Sequence, residues 1–245
     1  MTKNIKLYIE NDYNTLSQKA ALVFAQQVKA TPTRAFGFAT GSTPVGMYEE
    51  LTRMHKINEI DLSKITAFNL DEYYPISGSD PQSYTYIMAK NLFDAIGLPQ
   101  DKRNIPSGEA KDPKAECAAY EEKIAACDGI EMQILGIGHN GHIGFNEPAD
   151  TFAGVTAYVQ LAENTIQSNA RFFENPADVP RHALTMGIHS IMMSRNILLL
   201  VSGEAKAEIL RDTLMGPITP LVPASALQLH RNVIIVADKA AAKLL

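Results

Sequence analysis

The chain has 245 residues, 46% hydrophobic and 20% charged, a balance that supports a sizeable core and excludes a disordered polypeptide. Its 22 Lys and Arg against 27 Asp and Glu leave a formal net charge of -5, with no basic run anywhere. No nucleic-acid partner is therefore expected, whereas a small anion held by a few local donors fits.

The stretch from Met1 to Asn14 carries acids early and lacks a long apolar core, so it does not read as a secretory signal. No window approaches the roughly 20 apolar residues of a membrane span. A soluble, cytoplasmic protein with no membrane partner is expected. Cys117 and Cys127 match neither a zinc spacing nor a disulfide framework and read as free thiols.

In chain order, short apolar runs at Ile5–Ile9, Ala35–Ala39, Ile65–Leu70, Met132–Ile137, Ile197–Val201 and Val233–Ala237 predict strands. Between them, Asn14–Ala30, Pro44–Lys56, Ser83–Ile96, Pro113–Ala126 and Glu204–Leu214 space apolar residues three and four apart and predict helices. Ser77–Gln82 and Asn175–Arg181 read as surface connections, not linkers. The alternation predicts one α/β domain over 1–245, with a mostly parallel, doubly wound sheet between two helical layers. Ligands of such sheets gather at the carboxyl ends of the strands.

Three strand ends stand out. After Ala39, Thr40-Gly41-Ser42-Thr43 leads into Pro44, a residue suited to the first helical position, so the loop can cradle a phosphate at a helix N-terminus. Helix capping by Ser42 or Thr43 is the competing explanation. After Leu70 come Asp71 and Glu72, which strand alternation sends to opposite sides, so one of them faces the cleft.

At the end of the Met132–Ile137 run, Gly136, Gly138 and Gly141 spell the dinucleotide-binding spacing. That motif should open a helix, yet here Pro148 follows within seven residues of Gly141, so the segment is a loop. His139 and His142 lack a third metal ligand at a typical spacing. His142, with Glu147 five residues on, suits acid/base chemistry, because a carboxylate can orient the ring and stabilise its charged form. A histidine merely bonded to loop carbonyls remains the alternative.

Taken together, Ala39–Pro44, Phe68–Tyr74, Gly136–Pro148, Ser168–Phe173 and Ala226–His230 resemble, in order, the motifs of the glucosamine-6-phosphate deaminases. The resemblance covers nearly the whole chain, and residues 136–148 are its most distinctive block. It implies a three-layer α/β fold and a reaction without metal or cofactor, in which glucosamine 6-phosphate and water give fructose 6-phosphate and ammonia.

By motif position, His142 would open the sugar ring with Glu147 holding the imidazole, and Asp71 would carry a proton from C2 to C1. Gly41, Ser42 and Thr43 would meet the phosphate, joined by Arg171 and Lys206. Asn140 stands where some members have an aspartate and would only orient the histidine.

The segment Ala149–Leu161 has no Lys or Arg, and the chain ends at Leu245. Activation by N-acetylglucosamine 6-phosphate, which the resemblance ties to basic residues there, is therefore not expected, and a monomer or small homo-oligomer is. Residues 145–170 are the candidate mobile lid. Two rival readings are a 6-phosphogluconolactonase-like hydrolase, which has no need of Asp71, and a non-catalytic sugar-phosphate sensor. The sensor needs a DNA-binding module for which the residues before Thr40 leave no space.

Overall fold

Each apolar run predicted as a strand forms one. The structure, a computed structural model, describes residues 4–173, 175 and 178–245. Met1–Lys3 of the amino-terminal stretch, and Pro176 and Ala177 of the expected 175–181 connection, lie outside the described residues.

The chain runs β1 (Ile5–Glu10), α1 (Tyr13–Ala30), β2 (Ala35–Phe38), α2 (Val45–Lys56), β3 (Thr66–Asn69), β4 (Asp71–Tyr74), α3 (Tyr84–Met88) and β5 (Arg103–Asn104). It continues with α4 (Pro113–Ala126), β6 (Ile130–Leu135), β7 (Ala157–Gln160), α5 (Glu163–Asn169), β8 (His182–Thr185), α6 (Ile188–Met192), β9 (Asn196–Val201), α7 (Ala207–Met215) and β10 (Val233–Asp238). The chemistry of the ends sets several boundaries. Asp12 accepts from the Thr15 amide at 2.8 Å to start α1, and Asp112 accepts from Lys114 and Ala115, with Pro113 first in α4.

One expectation is corrected. The helix predicted over Ser83–Ile96 is α only to Met88, then widens into a π turn over Ala89–Phe93. That turn buries the adjacent Leu92 and Phe93 together.

Seven strands form a parallel sheet in the order β1-β10-β9-β6-β2-β3-β5. Helices cover both faces, so β9 is apolar and buried from Ile197 to Val201, and β6 is buried throughout, its polar Glu131 and Gln133 included. From β2 the winding runs outward to β3, and from β6 it runs the other way to β9. The crevice above the carboxyl ends of β2 and β6 is thus the topological switch point, where such sheets bind ligands.

A second, antiparallel sheet, β4-β8-β7, stands beside the first. Sequence reading missed it, because its four-residue strands come from distant parts of the chain. Asp71 of β4 pairs with Thr185 of β8, and Ala157 of β7 with the same Thr185. Tyr73, Phe145, Leu161, Ile166 and Ala183 form a separate small core there. Within the 145–170 segment, β7 is therefore held strand by strand. Among the described residues, no helix is long and apolar enough to cross a membrane.

Candidate active site

One cavity of about 590 Å³ opens over the switch point, within the size range of small-molecule sites. It brings together Gly41, Ser42, Thr43, Asp71, Asn140, His142, Arg171 and Lys206, all named from the sequence. Glu147 stands immediately behind His142.

β4 delivers Asp71 and Glu72 to opposite sides, as alternation requires. Glu72 points away from the cavity and accepts from the amides of Tyr73, Tyr84 and Thr85 (2.9 Å each) and from the Ser83 hydroxyl at 2.7 Å. It is an anchor for α3, buried enough that its pKa stays above the ordinary carboxylate value despite these donors. Asp71 is the carboxylate that lines the cavity. Burial, reinforced by the neighbouring Glu72 charge, pushes its pKa up to about 8.

The loop after β6 is folded tightly around His142. The Gly138 amide donates to the His142 carbonyl at 2.9 Å, and the Gly141 amide to the Gly138 carbonyl at 3.2 Å. The imidazole lies against Gly138 so closely that a Cβ there would stand 2.3 Å from Nε2. The middle glycine of the dinucleotide-like spacing thus makes room for a side chain, not a pyrophosphate. Beyond it, the Phe145 amide donates to the Thr185 hydroxyl at 3.0 Å, and Asn146 Nδ2 donates to Met186 O at 2.8 Å. The loop is tied to β8, whose Thr185 also pairs with Asp71.

Glu147 Oε1 lies 3.4 Å from His142 Nδ1, at ion-pair distance but off the line of a hydrogen bond. Asn140 Nδ2 donates to Glu147 Oε2 at 2.7 Å, while Asn140 Oδ1 accepts from the His142 amide at 3.2 Å. The amide serves both partners, whereas an ionised aspartate could accept from the His142 amide but has no donor to offer the carboxylate. Thr165 donates its hydroxyl proton to Glu147 Oε1. Burial opposes ionisation of Glu147, yet His142, Thr165 and Asn140 outweigh it and bring the pKa to about 2.

At the other end, Gly41 turns the loop with φ near 100°, a conformation natural to glycine. Pro44 is the N-cap of α2, and no side chain caps that helix, so Ser42 and Thr43 do not spend their hydroxyls there. The early amides are less available than expected. Tyr13 of α1 accepts from the Gly46 amide at 2.9 Å and donates to Ser42 O at 3.1 Å, holding the loop from behind.

Lys206 donates to Ile137 O at 2.7 Å; burial, then the nearby Arg171 charge, lowers its pKa to about 8. Two cations facing one another on a cavity wall suit an anion between them. His139, weighed from the sequence only as a metal ligand, lines this end too. The Lys206 charge, then burial, holds its pKa below the ordinary value. Among the described residues, no three His, Cys, Asp or Glu side chains cluster to hold a metal ion.

Sequence reading did not single out Tyr84, Asn164, Thr165, Asn169 or Ser202, which also line the cavity. Of these, Ser202 follows a predicted strand and Asn169 lies in the Ser168–Phe173 motif; the others carried no positional signal. His230 of the Ala226–His230 motif is remote from the cavity. It is buried three residues before β10, with Nε2 2.8 Å from Ser194 O, and serves structure.

The glucosamine-6-phosphate isomerase/6-phosphogluconolactonase family model matches residues 11–236. The chain belongs to that family. A glucosamine-6-phosphate deaminase of Halothermothrix orenii is 49% identical over 241 residues, which cover 98% of this chain and all of the relative. The solved structure of a monomeric glucosamine-6-phosphate deaminase superposes with a TM-score of 0.95 at 44% identity, over 98% of this chain and 100% of the other. A 6-phosphogluconolactonase from Trypanosoma cruzi matches at TM-score 0.79 but 19% identity, over 100% of this chain and 98% of that one. That likeness extends to the fold alone.

Proposed function

We propose that this protein is a glucosamine-6-phosphate deaminase, hydrolysing a C–N bond after an aldose-ketose isomerisation to give fructose 6-phosphate and ammonia. The observation that carries the reading is the pairing of a buried carboxylate, Asp71, with an ion-paired His142–Glu147 loop in one cavity that ends in two cations. The relatives at close to half identity over their full length support it.

The phosphate is held by Gly41, Ser42 and Thr43, with Arg171 and Lys206 supplying charge. His142 moves a proton between the anomeric hydroxyl and the ring oxygen, opening the pyranose. Glu147 balances the imidazolium, and Asn140 orients both. Asp71 takes the C2 proton of the open-chain sugar, giving an enolamine, and returns it to C1. The resulting C2 iminium adds water and expels ammonia.

A buried base of raised pKa suits the step at C2, because the carboxylate of a strongly acidic group would be too weak a base to take that proton. Residues 1–245 act as one domain in this reading. The protein works as a cytoplasmic monomer or small oligomer, a reading supported by the monomeric relative and by unpaired Cys117 and Cys127. No activation by N-acetylglucosamine 6-phosphate is proposed.

The test is formation of ammonia and fructose 6-phosphate from glucosamine 6-phosphate by purified protein in the presence of a chelator. Absence of turnover, or equal turnover by Asp71→Asn, overturns the reading. Hydrolysis of 6-phosphogluconolactone without ammonia release would move the protein to the lactonase side of its family.

A further inference from the structure

His142 alone does not fix the orientation of Glu147. The His142 Nδ1 atom is buried and 3.4 Å from Oε1, without an aligned bond. Two other groups fix the carboxylate. Asn140 reaches Oε2 from the same loop as His142, and Thr165 reaches Oε1 from α5, on the other side of β7.

An ionised carboxylate only accepts, so the hydroxyl proton of Thr165 goes to Glu147. Two anchors on two oxygens fix the carboxylate plane, whereas one would leave it free to turn about its terminal bond, which has broad rotamer wells. A fixed Oε1 facing Nδ1 selects the imidazole tautomer that carries its proton on Nδ1 and leaves Nε2 as the base.

We propose that Thr165 is a positioning residue for ring opening: its hydroxyl, with Asn140, fixes Glu147 so that His142 presents an unprotonated Nε2 to the sugar. This rests on the reading of His142 and Glu147 given above. α5 also brings Asn164 and Asn169 to the cavity wall. The helix that lines the cavity is thereby the helix that sets the histidine, so a shift of α5 changes both at once.

The test compares wild type, Thr165→Val, which keeps the shape and removes the hydroxyl, and Thr165→Ser, which restores it. On glucosamine 6-phosphate, Thr165→Val loses about 10- to 100-fold in kcat with KM within about twofold, and Thr165→Ser recovers to within about threefold of wild type. On an analogue unable to close the pyranose ring, Thr165→Val loses less than about threefold. Imidazole ¹⁵N spectra without substrate, with His142 assigned by comparison with His142→Gln, give one neutral tautomer in wild type and Thr165→Ser. They give a mixture in Thr165→Val.

Equal losses on both substrates, failure of serine to rescue, or unchanged spectra in Thr165→Val each overturn the proposal. Thr165→Ala carries the same measurements if the valine variant does not fold. Wild-type protein without turnover overturns the deaminase reading, while the substrate-free spectra still decide the role of Thr165.

Discussion

The two ends of the cavity are built on different physical terms. The end proposed to hold the anion gathers a turn of backbone, two hydroxyls and two cations on long side chains, from three separate segments. The end proposed for proton transfer holds a buried Asp71 and a Glu147 whose two carboxylate oxygens each meet a defined donor. Asp71 has its pKa lifted by burial, and Glu147 has its pKa drawn down by three neighbours. Charge attracts over distance and tolerates displacement, so binding can be assembled from loosely fixed parts. Proton transfer needs reach and pKa together, which suits Asp71 on a paired strand and His142 in a loop tied to that strand's neighbour.

Breaking the proton-transfer end has the larger consequence. Asp71→Asn is expected to lower kcat by at least about 1,000-fold, read as ammonia release, with KM little changed. The same variant sharpens the contrast through stability. Asp71 has its folded pKa raised above the unfolded value of 3.8, so the native state keeps a proton that the unfolded chain releases. Stability thus falls as pH rises from the unfolded value to about 8 and is level above that. Asparagine removes the penalty, so thermal melting at pH 8 should rise by on the order of 5 °C and melting at pH 3 should not. An unchanged Tm at pH 8 would show Asp71 to be solvated.

His142→Gln is expected to slow turnover of the cyclic sugar by about 100-fold or more, and that of an open-chain analogue far less. Equal losses would remove ring opening from its role.

At the anion end, Lys206→Met should raise KM by about 10- to 100-fold with a smaller change in kcat, since the lost contact serves ground and transition state alike. Its pH behaviour is diagnostic. In the free enzyme Asp71 must lose its proton and Lys206 must keep its own, both near pH 8, so kcat/KM has a maximum there. The methionine variant should lose the descending limb due to Lys206, leaving only what the substrate's own ammonium contributes. Identical profiles would exclude Lys206 from phosphate binding.

The smallest expected effect is also the most discriminating. Asn140→Asp restores the residue that some family members carry but places a second carboxylate where an amide donates to Glu147 at 2.7 Å. We expect about a 3- to 10-fold loss of kcat, deepening as pH rises from 5 to 7 and the new acid ionises. A gain instead would show that Glu147 needs no donor at that position.

How much of this was legible in the sequence follows the range of the interactions. The parallel strands were visible because burial on both faces makes them continuously apolar, as in Ile197–Val201. The loop residues were visible because Gly, His and Pro punctuate them. Asp71 and Glu72 read as a strand end, not as β4, because their partner strand lies far along the chain and leaves no mark on local periodicity. Thr165 fell inside the expected 145–170 lid with no signal of its own, since its meaning lies in the carboxylate it meets. The expected supply of helix amides behind Thr43 was overestimated for the same reason, because Tyr13 enters from another helix.

The small sheet has a consequence for folding. Its middle strand, β8, pairs on one side with the strand carrying Asp71 and on the other with β7, just before α5. Closing these pairings spans long loops, whose entropy has to be met before the contacts repay it. The parallel sheet can condense around β6 and β9 while Asp71 is still unplaced. Catalytic competence is therefore expected as a late event in refolding, appearing after the bulk of secondary structure has returned.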